Sequence, residues 1–480
     1  MKKITYSLLL IIILSCTNKK LTSIKDSNVN KITNYLDSLD GFSGAILIAK
    51  NDSILFKKAY GYAHLGHKVK NRTDTKFNQG SIGKSFTALA ILQLIQKGKL
   101  LLQDNIGKFL PNYPNKTVRD SVTIAHLLTH TSGLPHFFAR ESFIRGSKDL
   151  FRLTNDFSSL YENEPMESKP GKIFSYRNTN YLILGKIIEV VSGTNYNNYL
   201  ESNIYSIASM KNTGNYDLDH PIDNAAEGYT TSEVHPNKLK INIHTYPVRG
   251  GAHGGGYTTL DDLYKFSKAL KDYQLLNKEY TKLFTSPLKK DSYYGYGMQF
   301  PNPKEGTIYG HTGGHYGVGN EWRVYKQKGY SVIILTNKDA DKGFLDARYF
   351  IQKTISGNTS KLNNYFFTKE VIKTCLNEDI EQAKALIRKS KFKISEIDLN
   401  TKGYEMIKKG FYKKAIDLFT LEILSHPESY NAYDSLGEAY MKDGQIKKAI
   451  KNYQKSLEIN PENLNGREKL RELLAMNNWH

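Results

Sequence analysis

The chain has 480 residues, of which 39% are hydrophobic and 24% charged, a composition that excludes wholesale disorder. That length exceeds one typical domain, so two or three folded units are expected. Cys16 and Cys375 are its two cysteines, too few for a disulfide framework or a cysteine-rich metal site.

The chain opens as an export signal. Lys2 and Lys3 form a basic start and Leu8 to Leu14 an unbroken apolar core, too short to span a bilayer. Leu14-Ser15-Cys16 resembles the lipobox of bacterial lipoproteins. That resemblance implies a cleaved signal over 1–15, lipidation at Cys16, a membrane contact through the lipid, and a polar tether over 16–30. Residues from Phe366 onward hold 20 basic and 17 acidic side chains, so +3 of the net +20 lies there and +17 in the rest. A basic exported chain suits an anionic envelope surface. Export, with no nucleic-acid-binding motif, argues against nucleic acid.

Two β-rich runs, Phe42 to Ala49 and Ile54 to Tyr62, flank Asn51-Asp52 and predict a hairpin. The stretch Gln79-Gly80-Ser81-Ile82-Gly83-Lys84 then leads into an apolar run, Ala88 to Ile95. A helix beginning near Ser81 and closing near Gly98 places Lys84 one turn on, on the same face. A lysine whose pKa is lowered by burial can take the serine proton. A helix amino terminus favours the forming oxyanion.

Further on, Thr123 to Leu128 predicts a short helix ahead of a loop, His130 to Pro135. His126 and His130 are four apart, but the helix breaks at once and no Glu follows His126, so structural roles are expected. Tyr176-Arg177-Asn178 stands just before another apolar helical run, Leu182 to Val191. Tyr176 can shuttle a proton and Asn178 can both donate and accept hydrogen bonds. Gly250 to Gly256 holds five glycines and is expected to wall the pocket. A helix follows from about Leu260 to Leu270. Tyr309-Gly310-His311-Thr312-Gly313-Gly314-His315 precedes two strand-like segments, and its small residues let a substrate approach closely. No metal is expected at His311 or His315, because no carboxylate accompanies them.

After a polar connector at Ser356 to Asn364 the pattern turns helical. Gly403, Gly410, Ala415, Phe419 and Pro427 recur 34 residues later as Gly437, Gly444, Ala449, Tyr453 and Pro461. That period resembles tetratricopeptide repeats, near 396–429 and 430–463. Phe366 to Ser390 reads as a degenerate helical pair capping them, and Gly466 to Met476 as a final helix.

In order, Ser81-Ile82-Gly83-Lys84, Tyr176-Arg177-Asn178 and His311-Thr312-Gly313 resemble the penicillin-binding-protein and β-lactamase superfamily of serine hydrolases. Tyr-x-Asn is similar to the class C-like branch, as are Leu127 to Pro135 and Gly255 to Leu263. The resemblance implies an α+β domain over 31–358, an antiparallel sheet flanked by helices plus a helical lobe; the repeats predict a helical tail over 366–480 after it. It implies Ser81 as acylated nucleophile, Lys84 as proton acceptor and Tyr176 in the relay. Asn178, His311, Thr312, Gly313 and Gly314 would bind substrate, with the Ser81 and Gly314 amides as oxyanion hole. No cofactor or metal is implied. Arg177 stands where relatives often have serine, and His311 where β-lactamases and many D,D-peptidases have lysine. The expected activity is therefore an envelope-anchored hydrolase of an ester, D-amino-acid amide or peptide. The alternatives are an inactive scaffold binding a protein partner through the repeats, or a β-lactamase or D,D-carboxypeptidase.

Overall fold

The computed structural model describes residues 26–39, 41–231, 238–303 and 308–477. The expected signal segment, Cys16 and the tether up to residue 25 lie outside these residues. The chain divides into two compact units, Met1–Leu345 and Asp346–His480. The division falls inside a helix, Lys342–Ser356, ahead of the polar connector. That connector is itself taken into the next helix, Thr359–Asn377, whose cap is Asn358.

The first unit opens with α1 (Ser27–Asp37), capped by the Asp26 carboxylate, which accepts from the Asn28 amide at 2.9 Å. Five strands form its antiparallel sheet: β1 (Gly44–Lys50), β2 (Ser53–Tyr60), β3 (Ile308–His315), β4 (Val318–Tyr325) and β5 (Tyr330–Thr336). Their spatial order is β2-β1-β5-β4-β3. The β1–β2 hairpin turns on Asn51 and Asp52, both left-handed at φ +46° and +69°, the backbone such tight hairpins demand. β1 is an interior strand, buried on both faces. Its Ala45, Leu47 and Ala49 join Trp322, Ile333 and Leu335 in the main core. Helix α4 (Leu260–Lys271) covers that face: Phe266 packs on Trp322 at 5.1 Å, and the Trp322 indole donates to Ser267 Oγ at 2.8 Å.

The helical lobe is built on α2 (Gly83–Gln96), in which every residue from Gly83 to Ile95 is buried. A helix buried on all sides is a core helix, and α2 packs against α3 (Asn178–Ser192). Gly193 ends α3 in the left-handed conformation.

The second unit is helical. Its pairs α5 (Glu396–Lys408) and α6 (Tyr412–Ser425), then α7 (Tyr430–Lys442) and α8 (Ile446–Ile459), repeat each boundary 34 residues on. Small residues sit where helices cross. A Cβ on Gly403 would stand 2.4 Å from the Phe419 ring, and one on Gly437 3.2 Å from Tyr453. Cys375 is buried within Thr359–Asn377, and burial pushes its thiol up to about 12.

Candidate active site

Ser81 lies on a single tight turn, Gly80–Ile82, that runs straight into α2. The helix proper thus starts two residues later than the sequence suggests, with Lys84 still one turn from Ser81. Lys84 Nζ is 3.1 Å from Ser81 Oγ and also donates to the His253 carbonyl. The side chain is fully buried, with no carboxylate partner among the described residues, and desolvation holds its pKa well below that of free lysine. The rings of Tyr176 and Tyr181 stand 5.1 and 5.6 Å from the amine.

Tyr176 and Asn178 arrive from the other side, at the start of α3. The Tyr176 hydroxyl is buried without a well-formed hydrogen bond. Burial raises its pKa, partly offset by the nearby Ser81 hydroxyl. The Asn178 side-chain oxygen is likewise buried and unpaired, and Asn178 lines the cavity. Arg177 is turned aside: its guanidinium pairs with Glu167 at 2.5 Å.

The Leu127 to Pro135 loop is the clasp behind this pair. His130, left-handed at φ +57°, stacks on Tyr176 with ring centres 4.2 Å apart, and its Nδ1 accepts from the Arg177 amide at 3.2 Å. The Ser132 hydroxyl donates to Asn180 at 2.6 Å, and the Thr179 hydroxyl to the Pro135 carbonyl at 2.6 Å. His126 sits apart within the helix Ile124–Leu128, its Nδ1 accepting from the Thr123 amide. The two imidazoles therefore do not share a face. Among the described residues no cluster of three or more His, Cys, Asp or Glu could hold a metal.

Strand β3 closes the third side. A Cβ on Gly80 would stand 3.1 Å from Gly313 Cα and 3.3 Å from the Gly314 nitrogen, so strand and serine turn meet backbone to backbone. Of the four β3 residues expected to bind substrate, Gly314 lines the cavity and His311 does not. His311 is fully buried. Its Nδ1 donates to the Thr312 carbonyl at 2.6 Å, so Nε2 accepts from the Tyr294 hydroxyl at 2.9 Å. Burial pushes its pKa down to about 3, and nearby Lys84 and Arg323 add to this. Thr312 is also committed: its amide and hydroxyl both donate to Gln299, which accepts from buried Arg323 at 2.7 Å as well. His311 and Thr312 shape the strand, and Gly313 and Gly314 lay it against Ser81.

The glycine span supplies the remaining wall. Gly251 and Gly254 exchange backbone hydrogen bonds, and a Cβ on Gly254 would stand 2.8 Å from the Gly80 carbonyl oxygen. Together these segments enclose a cavity of about 620 Å³ onto which Ser81, Asn178 and Gly314 open, a volume suited to a small organic or peptide substrate. Tyr294, Gln299 and the His130 clasp were not singled out as site residues from sequence. They lie in stretches with no periodicity, brought in by tertiary packing.

A serine 3.1 Å from a desolvated lysine, between an antiparallel sheet and a helical lobe, fits a β-lactamase-fold serine hydrolase. The chain belongs to the beta-lactamase family, whose model matches residues 30–355, and a tetratricopeptide repeat matches 431–463. It is 30% identical over 322 residues to penicillin-binding protein 4* of Bacillus subtilis, covering 64% of this chain and 70% of that one. It spans less than two thirds of the length of further curated relatives. A solved penicillin-binding protein from Bacillus halodurans superposes with a TM-score of 0.60 at 31% identity, covering 70% of this chain and 99% of that one. A D-amino acid amidase from Ochrobactrum anthropi shares the fold at 22% identity, with a TM-score of 0.59 and coverage of 69% and 100%.

Proposed function

We infer that this protein is a lipid-anchored serine hydrolase of the bacterial envelope, cleaving an ester or a D-amino-acid amide through an acyl-enzyme on Ser81. The observation that carries this is the fully buried Lys84 amine 3.1 Å from Ser81 Oγ. A neutral amine has two N–H groups and one lone pair. With the His253 carbonyl holding one N–H, the lone pair is free to take the serine proton as Oγ attacks the substrate carbonyl. The amides of Ser81 and Gly314 would receive the oxyanion. Tyr176, kept as a neutral phenol by burial, would pass a proton to the leaving group. Asn178 would hold the substrate through its unpaired carboxamide. Water then releases the acyl group, and the route calls for no cofactor.

Neutral His311 favours an ester or amide over a β-lactam, because β3 presents no permanent cation for a carboxylate beside the scissile bond. The anchor is supported by Lys2, Lys3, the Leu8 to Leu14 core and Cys16. The repeats at the carboxyl end would engage a protein partner.

Intact mass after exposure to a fluorophosphonate tests the catalytic core. One adduct on the parent and none on Ser81→Ala is expected; no adduct on either would leave a non-catalytic scaffold. For the anchor, Cys16→Ala should move the protein from the detergent phase to the aqueous phase.

A further inference from the structure

The walls of the Ser81 cavity are unbalanced in charge. Among the described residues that line it are two permanent cations, Lys148 and Arg249, and neither aspartate nor glutamate. Lys148 is committed: its ammonium donates to the carbonyls of Phe143, Ile144 and Gly146, at 2.5, 3.2 and 2.8 Å, and fixes that turn. Its charge nevertheless has no ion-pair partner among the described residues.

Arg249 is different. Its backbone pairs with Asp217, and the neighbouring Val248 carbonyl accepts from the Leu218 amide, so the residue is held firmly. Its Nε donates to the Asn215 carbonyl at 3.0 Å and lies 3.8 Å from Asp217, which Arg152 approaches more closely at 3.2 Å. Neither terminal nitrogen, Nη1 nor Nη2, has a hydrogen-bond partner among the described residues. Arg249 also borders a smaller recess of about 110 Å³. The Glu189 carboxylate there accepts from the Tyr196 amide and the Thr154 hydroxyl through one oxygen, and among the described residues it forms no ion pair with Arg249.

The wall near these cations is apolar: Phe138, Phe143, Leu218 and Tyr246 line the same cavity. Arg249 is joined to the serine turn through the tight Gly251–Gly254 loop, with Gly250 packed on Gly255 and Gly256. The residue thus enters the cavity wall next to Gly255 and Gly256, whose backbones bond the Gln79–Gly80 turn ahead of Ser81.

On the proposed hydrolase activity we build one step further. We propose that the substrate carries a carboxylate apart from the scissile bond, joined to it by an apolar segment, and that Arg249 reads that carboxylate through its terminal guanidinium nitrogens. A guanidinium fork matches a carboxylate bidentately. One free fork suits a single negative charge better than a phosphate dianion, since the Lys148 donors are all spent on carbonyls.

The test compares two 4-nitrophenyl esters of equal length, the mono-ester of a straight-chain dicarboxylic acid and its methyl-terminated counterpart. The anionic ester should be favoured in kcat/KM by about tenfold or more at low salt, with the preference shrinking as salt is raised. In Arg249→Gln the ratio should fall toward one, in Arg249→Lys it should be partly kept, and in Arg72→Gln, a surface cation outside the cavity, it should stay. Equal turnover of both esters by the parent, or a preference that survives Arg249→Gln, overturns the proposal. Binding of both esters to Ser81→Ala protein gives the same comparison without turnover. Absence of hydrolysis in the parent then counts against the catalytic assignment, while equal affinity for the two esters counts against Arg249.

Discussion

Gly313 and Gln79 are in direct backbone contact: a Cβ on Gly313 would stand 2.3 Å from the Gln79 carbonyl oxygen and 3.3 Å from the Ser81 amide nitrogen. The neighbouring Gly314 has open space where its Cβ would be. Two adjacent glycines of one strand are thus under opposite constraints. The first lets the strand touch the serine turn, and the second leaves room above it.

Gly313→Ala should therefore push strand and turn apart. We expect acylation of Ser81 to slow by about a hundredfold, the scale on which loss of one oxyanion donor is felt, with a measurable fall in melting temperature. Gly314→Ala should leave stability within about 0.5 kcal/mol. Thermal melts of the two variants beside fluorophosphonate labelling rates check this. Equal stability for both would mean that the contact at Gly313 is not a constraint.

As the proposed base, Lys84 should set the pH dependence of acylation. Burial lowers its pKa well below 10.5, so the neutral amine gains population at lower pH than in free lysine. The acylation rate should rise with pH along one limb and then level off. The phenol of Tyr176, pushed up by burial, should add no alkaline limb below about pH 10. Lys84→Arg cannot lose its proton and should be slower by about two to four orders of magnitude at every pH. Labelling rates from pH 5 to 10 settle it: an arginine variant that regains activity at high pH would remove Lys84 as the base.

The parts that were legible in sequence are those with strong local signals. The Ser81–Lys84 spacing, the apolar Ala88 to Ile95 run of α2, the Asn51-Asp52 hairpin and the 34-residue period each state their own geometry. His311 was legible as neutral from its residue type alone, but not as buried, because its environment is made by Tyr294 and Arg323 from other strands and loops. His130 illustrates the same limit. Sequence gives it a loop and favours a structural role over a metal pair with His126, yet its contact with Tyr176 depends on α3 arriving from some fifty residues away. Arg249 was unremarked for a different reason. A lone arginine ahead of a glycine run has no meaning until the fold places it at a cavity that no described carboxylate lines.

The buried histidines tie stability to pH. Desolvation pushes His253 and His311 down to about 3 in the folded protein, whereas an unfolded histidine titrates near 6.5. Between those values the unfolded chain binds more protons than the folded one, so stability rises with pH across that window and stops rising above about pH 6.5. Each such histidine contributes a slope approaching roughly 1.4 kcal/mol per pH unit once the unfolded imidazole is protonated. The informative range is pH 5 to 7, above the titration of ordinary carboxylates. Urea unfolding midpoints measured there should climb with pH and flatten at the top. His311→Asn, which cannot take up a proton, should lower that slope by the share of one histidine. An unchanged slope in the variant would mean that the His311 imidazole is protonated in the folded protein, and with it that β3 does carry a cation beside Ser81.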